Sequence, residues 1–349
     1  MVVLGSDSHK ETHTVVAVDG NGRELARVTV KATPEGHLGL LRWAASFEGR
    51  MWALEDCRHL SRRLESDLLR AGERVVRVPP KLMAGARRSA RTRGKSDPID
   101  ALAVARAALR EPDLPVAQLD GVERELRLLV DHREDLVGER TRAQNRLLWH
   151  LHELEPGWRI APGALTSYKT LDQVEERIGG RSGPVARIAL ELVGRCRELT
   201  HRINELEREI SRLVKPMAPA LLALRGCGPL TAAKIVGETA GVDRFRSKDA
   251  YARHNGTAPI PVWSSNTERH RLNRGGNRQL NAAIHRIAVT QLQRPGAARD
   301  YLERRMTSGA TKPEALRSLR RRLSDVVYRC LLDDHRTKIQ IPVGLQEAA

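Results

Sequence analysis

Two long helical segments in the middle of the chain constrain its fold more strongly than any other feature. Glycines and prolines between residues 156 and 184 indicate a loop that separates the first segment, residues 122–154, from the second. The two segments predict an antiparallel helical hairpin, which is either a coiled-coil spacer and dimer interface or part of an intramolecular bundle. The second segment carries an a/d seam, with apolar residues alternately four and three positions apart at Leu192, Cys196, Leu199, Ile203, Leu206, Ile210 and Leu213.

The region before this hairpin alternates between strand and helix patterns. Asp19-Gly20-Asn21-Gly22 is a turn sequence between two runs rich in β-branched residues. Interspersed strands and helices over about 110 residues predict a compact α/β domain at residues 1–115. The predicted strands are residues 2–5, 13–18, 25–30, 51–54 and 74–78, and the predicted helices are residues 38–45, 60–69 and 98–109.

The region after the hairpin predicts a smaller domain of short-looped helices. We place the linker at residues 116–215, the C-terminal domain at 216–335 and a tail at 336–349. A glycine turn at Gly226 and Gly228 separates two helices and is similar to a helix-hairpin-helix, whose backbone N–H groups can bind a phosphate. The alternative is an ordinary tight turn between packed helices.

The charge of the chain indicates a polyanionic partner. Lys and Arg number 60 against 43 Asp and Glu, which gives a net charge of +17. Such a surface attracts nucleic acid, and an aromatic content of 3% favours contacts with phosphates and duplex shape over base stacking. The expected nucleic-acid contacts are Lys81, Arg87, Arg88, Arg91, Arg93, Lys95, Gly226, Gly228, Arg269, Arg271, Arg274 and Arg278.

The cysteines and the apolar runs exclude other classes of protein. The four cysteines lack zinc-site spacing, so neither a structural zinc nor a disulfide framework is expected. No apolar run reaches the about 18 residues that a membrane span needs, and no secretory leader is recognisable. We expect a cytoplasmic, nucleoid-associated bacterial protein without a membrane partner.

Four acidic residues follow a strand–strand–helix order. Asp7 and Glu55 end predicted strands, and Asp97 and Asp100 share one face at the start of a helix. Converging carboxylates repel one another unless cations lie among them, and Mg²⁺ prefers such oxygen ligands. These acids therefore predict a metal site for phosphoryl transfer. The alternatives are a helix cap for Asp97 and a surface position for Glu55.

Two adjacent serines near the C-terminus form a second candidate centre. Pro259 and Pro261 disfavour regular structure, so Ser264 and Ser265 are predicted to lie on a loop. The arginines that follow are suited to bind phosphate oxygens bidentately. A serine hydroxyl needs a base or a metal for activation, and His270 is a candidate base. An ordinary loop serine is the alternative.

The order of these motifs resembles one known family over nearly the whole chain. The motifs are Gly-x-Asp-x-x-Lys at residues 5–10, Lys-Ser-Asp-x-x-Asp-Ala at 95–101, Gly-x-Gly-Pro-x-Thr-Ala at 226–232 and the serine pair followed by Gly275-Gly276-Asn277. Together they resemble the insertion-sequence-110-type DEDD transposases, which include bridge-RNA-guided serine recombinases.

The resemblance implies a fold and a chemistry. The N-terminal domain would be RNase H-like, as in Holliday-junction resolvases, with Asp7, Glu55, Asp97 and Asp100 holding Mg²⁺. A serine would attack a DNA phosphate covalently, in a composite site made by two subunits of a dimer or tetramer joined through the coiled coil. A structured non-coding RNA would pair with donor and target DNA.

The serine motif departs from the family pattern at one position. The family usually has glycine after the serine, whereas this chain has Asn266. Asn tolerates left-handed backbone better than most residues, so the turn is expected to persist. Alignment on this position favours Ser265 as the nucleophile, with Ser264 as the second candidate.

Three other functions remain open from the sequence. A metal-dependent nuclease or junction resolvase would share the fold without the serine step. An actin-like ATPase or sugar kinase is suggested by the hairpin that begins at Gly5, although no second glycine-rich phosphate loop is present. A non-catalytic nucleic-acid scaffold would leave the acids as surface groups.

Overall fold

The computed structural model describes all residues except 81, 84–95, 112–113, 119–120, 265–266, 272, 274 and 341–349, and gives only the backbone at 58, 262–264, 267–270 and 338–340. The described chain forms two compact units. The first contains residues 1–121 and 240–276, and the second contains residues 122–239 and 277–349. The domain boundaries expected from the sequence stay a prediction.

A five-stranded mixed sheet is the centre of the first unit. Its strand order is β3-β2-β1-β4-β5, with the first three strands antiparallel and β4 and β5 parallel to β1. The predicted α/β domain is confirmed by this mixed sheet and the helices around it. The strands are β1 (Val2–Ser8), β2 (Thr12–Val18), β3 (Glu24–Lys31), β4 (Arg50–Glu55) and β5 (Val75–Val78).

Helices cover both faces of this sheet. Helix α3 (Asp97–Arg110) packs on one face with Val3 and Ala53. Helices α1 (Pro34–Ala44) and α2 (Arg58–Arg70) contribute to the core on the other face with Leu4. Because successive strand residues point to opposite faces, Gly5 and Asp7 lie on the same face as Val3, the face that α3 covers.

Gly5 permits an unusually close approach between α3 and the sheet. A Cβ atom at Gly5 would lie 2.4 Å from the carbonyl oxygen of Ala101 and 2.5 Å from the backbone nitrogen of Ala105. The facing positions of α3 are alanines, so backbone packs almost directly on backbone. The first turn of the helix is thereby fixed against the strand that carries Asp7.

The second unit is built on the antiparallel helical hairpin expected from the sequence. Helices α4 (Val122–Leu154) and α6 (Pro184–Met217) pack along their length, and Arg133 on α4 forms an ion pair with Glu207 on α6 at 2.5 Å. The seam residues Cys196 and Leu199 are buried inside this chain. The a/d seam therefore contributes to an intramolecular bundle, and its use as a dimer interface stays a prediction.

The predicted loop between the long helices is wrong over part of its length. Helix α5 (Tyr168–Ile178) lies within it, after a short 3₁₀ turn at Ala164–Thr166. Three apolar residues of α5, Leu171, Val174 and Ile178, are buried against the hairpin. Their spacing of three and four is a helical pattern that the surrounding glycines obscure.

Shorter helices complete the two units. Helix α9 (Lys248–His254) belongs to the first unit, together with a small hairpin of β6 (Ile260–Ser264) and β7 (Thr267–Arg271). No helix among the described residues is both long enough and apolar enough to span a bilayer. The second unit also contains α7 (Pro219–Ala223), α8 (Pro229–Thr239), α10 (Arg278–Leu292), α11 (Ala297–Thr307) and α12 (Lys312–Gln340).

Substitution of Gly5 tests the backbone contact between β1 and α3. In Gly5→Ala the new methyl group meets backbone atoms that cannot rotate away, so we expect a loss of about 1–3 kcal/mol or more in the free energy of unfolding. Gly20→Ala is the matched control, because its Cβ would meet nothing within 4 Å, and a change within about 0.5 kcal/mol is expected. Chemical denaturation measures both, and equal stability of the two variants would contradict the packing argument.

Candidate active site

The sheet places Asp7 and Glu55 side by side. Strands β1 and β4 are parallel, with Gly5 opposite Ala53 and Ser6 opposite Leu54. The next position in this register brings Asp7 opposite Glu55, at the carboxyl edge of both strands. Both residues lie on the α3 face, because they are two positions beyond Gly5 and Ala53. The prediction that Asp7 ends the first strand is confirmed to within one residue, since β1 ends at Ser8.

Helix α3 supplies two further carboxylates to the same edge. Ser96 is its N-cap residue, so Asp97 is the first helical residue and not the cap. Asp100 follows three positions later and shares the helix face with Asp97. Asp100 is buried, whereas the side chain of Asp97 is 49% exposed. One carboxylate of this helix therefore faces the interior and the other faces solvent.

The environment of Asp7 combines burial with the charges of its neighbours. Burial raises the pKa of Asp7, and the negative charges of Asp100 and Asp97 raise it further. His9 acts in the opposite direction and lowers it. A buried carboxylate that is repelled by two others is costly to ionise. The site therefore favours any cation that neutralises the cluster.

His9 lies at this cluster and was not identified as a site residue from the sequence. Its Nε2 atom lies 3.2 Å from an oxygen of Asp7 and 3.4 Å from an oxygen of Asp97. Asp7, His9 and Asp97 offer ligand atoms that all lie within 4.8 Å of one another. The spacing Asp7-x-His9 after a strand was the available indication, but only the fold shows that Asp97 lies beside both.

The acids at this edge of the sheet also affect the pKa of the Cys57 thiol. Burial raises the pKa of Cys57 to about 11, and the charges of Glu55 and Asp7 contribute to the increase. The thiol is therefore protonated at neutral pH and is a poor nucleophile. Cys57 therefore lies at the same end of the sheet as both acids.

The donor set fits a hard divalent cation. Carboxylate oxygens from β1, β4 and α3 are the ligands that Mg²⁺ prefers, and a bound cation would relieve the repulsion at Asp7. The exposed carboxylate of Asp97 leaves the site open toward solvent. An acidic cluster of this composition can position a cation beside a phosphate group.

The prediction that the serines lie outside regular structure is wrong for Ser264. Residues Ile260–Ser264 form strand β6, which pairs with β7 in a two-stranded antiparallel sheet. Pro261 lies opposite His270 in this ladder. In a two-stranded sheet both strands are edge strands, so proline is tolerated because its missing N–H can face solvent. Ser265 and Asn266 fall between the strands and lie outside the described residues.

Two glycines close the base of this hairpin. A Cβ atom at Gly276 would lie 2.2 Å from the backbone nitrogen of Gly256, so the segments that enter and leave the hairpin touch through their backbones. Gly256 itself has φ +73°, a left-handed conformation that favours glycine. Buried Asn255 accepts hydrogen bonds from the backbone N–H and the hydroxyl of Thr257. The base of the serine hairpin is therefore closely packed.

The predicted phosphate-binding residues occupy different kinds of position. Arg271 and Arg278 are exposed, at the end of β7 and the start of α10. The side chain of Arg269 lies outside the described residues, as do Arg274 and the basic stretch containing Lys81, Arg87, Arg88, Arg91, Arg93 and Lys95. Their contacts with nucleic acid stay a prediction.

The glycine turn has a packing role within the second unit. Gly226 has φ +85°, and its Cβ would meet the carbonyl oxygen of Ile287 at 3.1 Å. The side chain of Gln291 also donates a hydrogen bond to the carbonyl oxygen of Arg225 at 2.7 Å. These contacts account for Gly226 as a tight turn against α10. Gly228 is exposed, and its Cβ would meet nothing within 4 Å.

Comparison with protein families gives two matches along the chain. Residues 4–156 match a model of IS110-type DEDD proteins described as a transposase, and residues 218–303 match a model described as the transposase IS116/IS110/IS902 family. The first match contains all four acids, and the second contains both serines. Together they cover about two thirds of the chain.

Proteins of insertion elements are similar over most of their length. An uncharacterised 44.8 kDa protein of IS116 from Streptomyces clavuligerus is 28% identical over 95% of this chain and 94% of its own. An IS900 protein from Mycobacterium paratuberculosis is 24% identical over 95% and 96%. An IS110 protein from Streptomyces coelicolor is 26% identical over 73% of this chain and 75% of its own.

Among solved structures, the RuvC protein of Thermus thermophilus matches part of this chain. A complex with a Holliday junction substrate is 18% identical and covers 34% of this chain and 99% of its own, with a TM-score of 0.27. A second RuvC structure is 19% identical and covers 34% and 100%, also with a TM-score of 0.27.

Neutralising Asp7 is expected to stabilise the cation-free protein. Because the folded-state pKa of Asp7 is raised, its contribution to stability is full below the ordinary value of 3.8 and is lost as pH rises through the folded value. Asp7→Asn should therefore melt at a higher temperature than wild type at neutral pH, and this difference should vanish below pH 3.8. Added Mg²⁺ should raise the melting temperature of wild type and not of the variant.

The control for this comparison is Asp135→Asn, which removes an exposed carboxylate from α4 and should leave the melting temperature and its Mg²⁺ response unchanged. A lower melting temperature of Asp7→Asn at neutral pH would contradict the electrostatic account of the cluster.

Proposed function

The chain belongs to the IS110/IS116 family of transposases, and we propose that it cleaves and rejoins DNA for an insertion sequence through a serine nucleophile. The observation that carries the proposal is the convergence of Asp7, Asp97 and Asp100 at the edge of the sheet that also carries Glu55. Such a cluster is suited to phosphoryl transfer.

The four acids differ in their exposure to solvent. Asp7 and Asp100 are buried and fix the cluster in the protein, whereas Asp97 is open to solvent and to a substrate. We assign all four as ligands of Mg²⁺. When bound, the ion would supply charge neutralisation of the phosphate and of the attacking and leaving oxygens.

The proposed nucleophile is Ser265, with Ser264 as the second candidate. The serine oxygen forms a bond to the phosphorus of a DNA phosphodiester, and the bond from phosphorus to one sugar oxygen breaks. The serine proton passes to a base, for which His270 is a candidate, and the departing sugar oxygen takes up a proton. One phosphodiester replaces another, so strands can be rejoined without an external energy source.

The arginines and the hairpin have supporting roles in this proposal. Arg271 is exposed at the end of β7 and is suited to hold phosphate oxygens beside the serine pair. The contact between Gly276 and Gly256 holds the base of the hairpin in place. Segment 240–276 belongs to the same compact unit as the acids.

The proposed partners follow from the family. Donor and target DNA are the substrates, and a structured bridge RNA guides their selection by base pairing. The active form is a dimer or tetramer in which the serine of one copy meets the acids of another. The positive charge of the chain supports nucleic-acid partners in general.

The alternative is a metal-dependent nuclease or junction resolvase that lacks the serine step. It is favoured by one observation, which is that Asp7, His9 and Asp97, all on or next to β1 and α3, already bring ligand atoms within 4.8 Å of one another. The two functions differ in whether a covalent protein–DNA intermediate forms.

Covalent trapping distinguishes these functions. Protein, element-derived RNA and labelled DNA are incubated with Mg²⁺ and then denatured, and protein-linked DNA is measured on a gel. Ser265→Ala should reduce the adduct by about 10³-fold or more, because the nucleophile is removed, and Asp97→Ala should reduce both the adduct and DNA cleavage. Ser182→Ala, at an exposed position outside the hairpin, is the control and should behave as wild type.

Three outcomes are informative. Loss of the adduct in Ser264→Ala instead would reassign the nucleophile. Cleavage that depends on Asp97 without any adduct would establish the metal-dependent nuclease. Cleavage that persists in Asp97→Ala would contradict the acid site itself.

A further inference from the structure

Trp149 on helix α4 is the most exposed large hydrophobic side chain among the described residues. It is 77% exposed, although an indole ring is usually largely buried in a folded protein. A single exposed apolar residue has no meaning by itself. Whether Trp149 marks a binding surface therefore depends on the residues around it.

Trp149 borders a groove between α4 and α6 with a volume of about 760 Å³. The buried residues Ala143 and Leu199 contribute to its lining. Along α4 the lining residues Arg142, Asn145, Arg146 and Trp149 are spaced at i, i+3, i+4 and i+7, so they form one stripe on the helix. The size is within the range of about 300–1,000 Å³ that small-molecule sites occupy.

The charges around the groove are unbalanced. Arg195 on the α6 side is neutralised by Glu139 at 3.0 Å and Glu198 at 2.7 Å. Arg142 and Arg146 are exposed, and neither forms an ion pair within the part of the chain that the structure describes. Two uncompensated guanidinium groups therefore lie on the same stripe as an exposed indole.

We propose that this groove binds a single-stranded nucleic acid, with an unpaired base stacked on Trp149 and backbone phosphates bound by Arg142 and Arg146. An aromatic face stacks on any base, and guanidinium groups pair with phosphate oxygens. Asn145 lies between the two arginines and can donate and accept hydrogen bonds at a base edge. Single-stranded DNA and unpaired RNA share this chemistry.

A second copy of the chain is a poorer occupant of the groove. A two-fold interface places the same patch on both sides, so one arginine-containing stripe would lie against another. The core of a protein interface is also depleted in charged residues, whereas charged and polar side chains make up most of this stripe. The charge pattern is complementary to a polyanion.

The site is separate from the proposed chemistry, and the inference rests on the proposed function only in expecting a nucleic-acid partner. The acids lie on β1, β4 and α3, and the groove lies on α4 and α6 of the second unit. Failure of the serine mechanism would leave this binding prediction intact.

Binding of labelled oligonucleotides by the full-length protein tests the inference. The probes are an oligouridylate and an oligothymidylate of about twelve nucleotides, with affinity measured by fluorescence anisotropy over a range of salt concentrations. Trp149→Ala should weaken binding by about 5- to 150-fold, which corresponds to the usual contribution of one stacked base. Trp149→Phe should retain most of the affinity, because an aromatic face remains.

Arg142 and Arg146 are expected to change the salt dependence of binding in the same assay. Arg142→Gln combined with Arg146→Gln should reduce the slope of log affinity against log salt by about 1.4, or about 0.7 for each phosphate that is no longer neutralised. The matched control is Arg202→Gln combined with Arg212→Gln, which removes the same charge from exposed positions on α6. Leu128→Ala is the control for removing an exposed apolar side chain from α4.

The comparison of the two probes identifies which nucleic acid the groove prefers, and either preference supports the proposal. Unchanged affinity of Trp149→Ala for both probes would overturn it. If sedimentation then showed that Trp149→Ala dissociates an assembly present in wild type, the groove would be a contact between copies of the chain. All of these positions are exposed, so the variants should keep the melting temperature of wild type.

Discussion

The backbone contact between helix α3 and strand β1 is the constraint on which the candidate active site depends. Because Gly5 has no side chain, Ala101 and Ala105 lie directly on the strand, and the start of α3 is held at the strand end that carries Asp7. The parallel pairing of β1 with β4 then adds Glu55 at the same edge. A single glycine thus permits carboxylates that are about 90 residues apart in sequence to share one electrostatic environment.

The same arrangement raises the electrostatic free energy of the site without a cation. It thereby favours the binding of a divalent cation. Asp7 is buried, and Asp100 and Asp97 raise its pKa in addition to burial. The fold therefore holds together carboxylates that repel one another, and a divalent cation would reduce this repulsion. The nucleophile that we propose lies on a different element, a hairpin closed by Gly256 and Gly276, so the acid cluster and the serine can be altered independently.

The sequence was most informative where local chemistry and fold agree. The Ser96-Asp97-Pro98 helix start and the strand that ends at Glu55 were predicted closely, because capping, proline preference and a short apolar run are local. The strand at Ile260–Ser264 was missed, because proline excludes a central strand but not an edge strand. The role of His9 was also missed, because its proximity to Asp97 exists only in the folded sheet.

The most direct test of the account is to locate the DNA-linked residue by mass spectrometry. Adduct formed with Mg²⁺ is digested with nuclease and trypsin, and the peptide that retains a nucleotide is sequenced. We expect a nucleotide on the peptide of residues 254–269, attached to Ser265, and we expect it to be absent in Asp97→Ala. Cleaved DNA with no linked peptide, or a nucleotide attached outside Ser264 and Ser265, would contradict the serine mechanism.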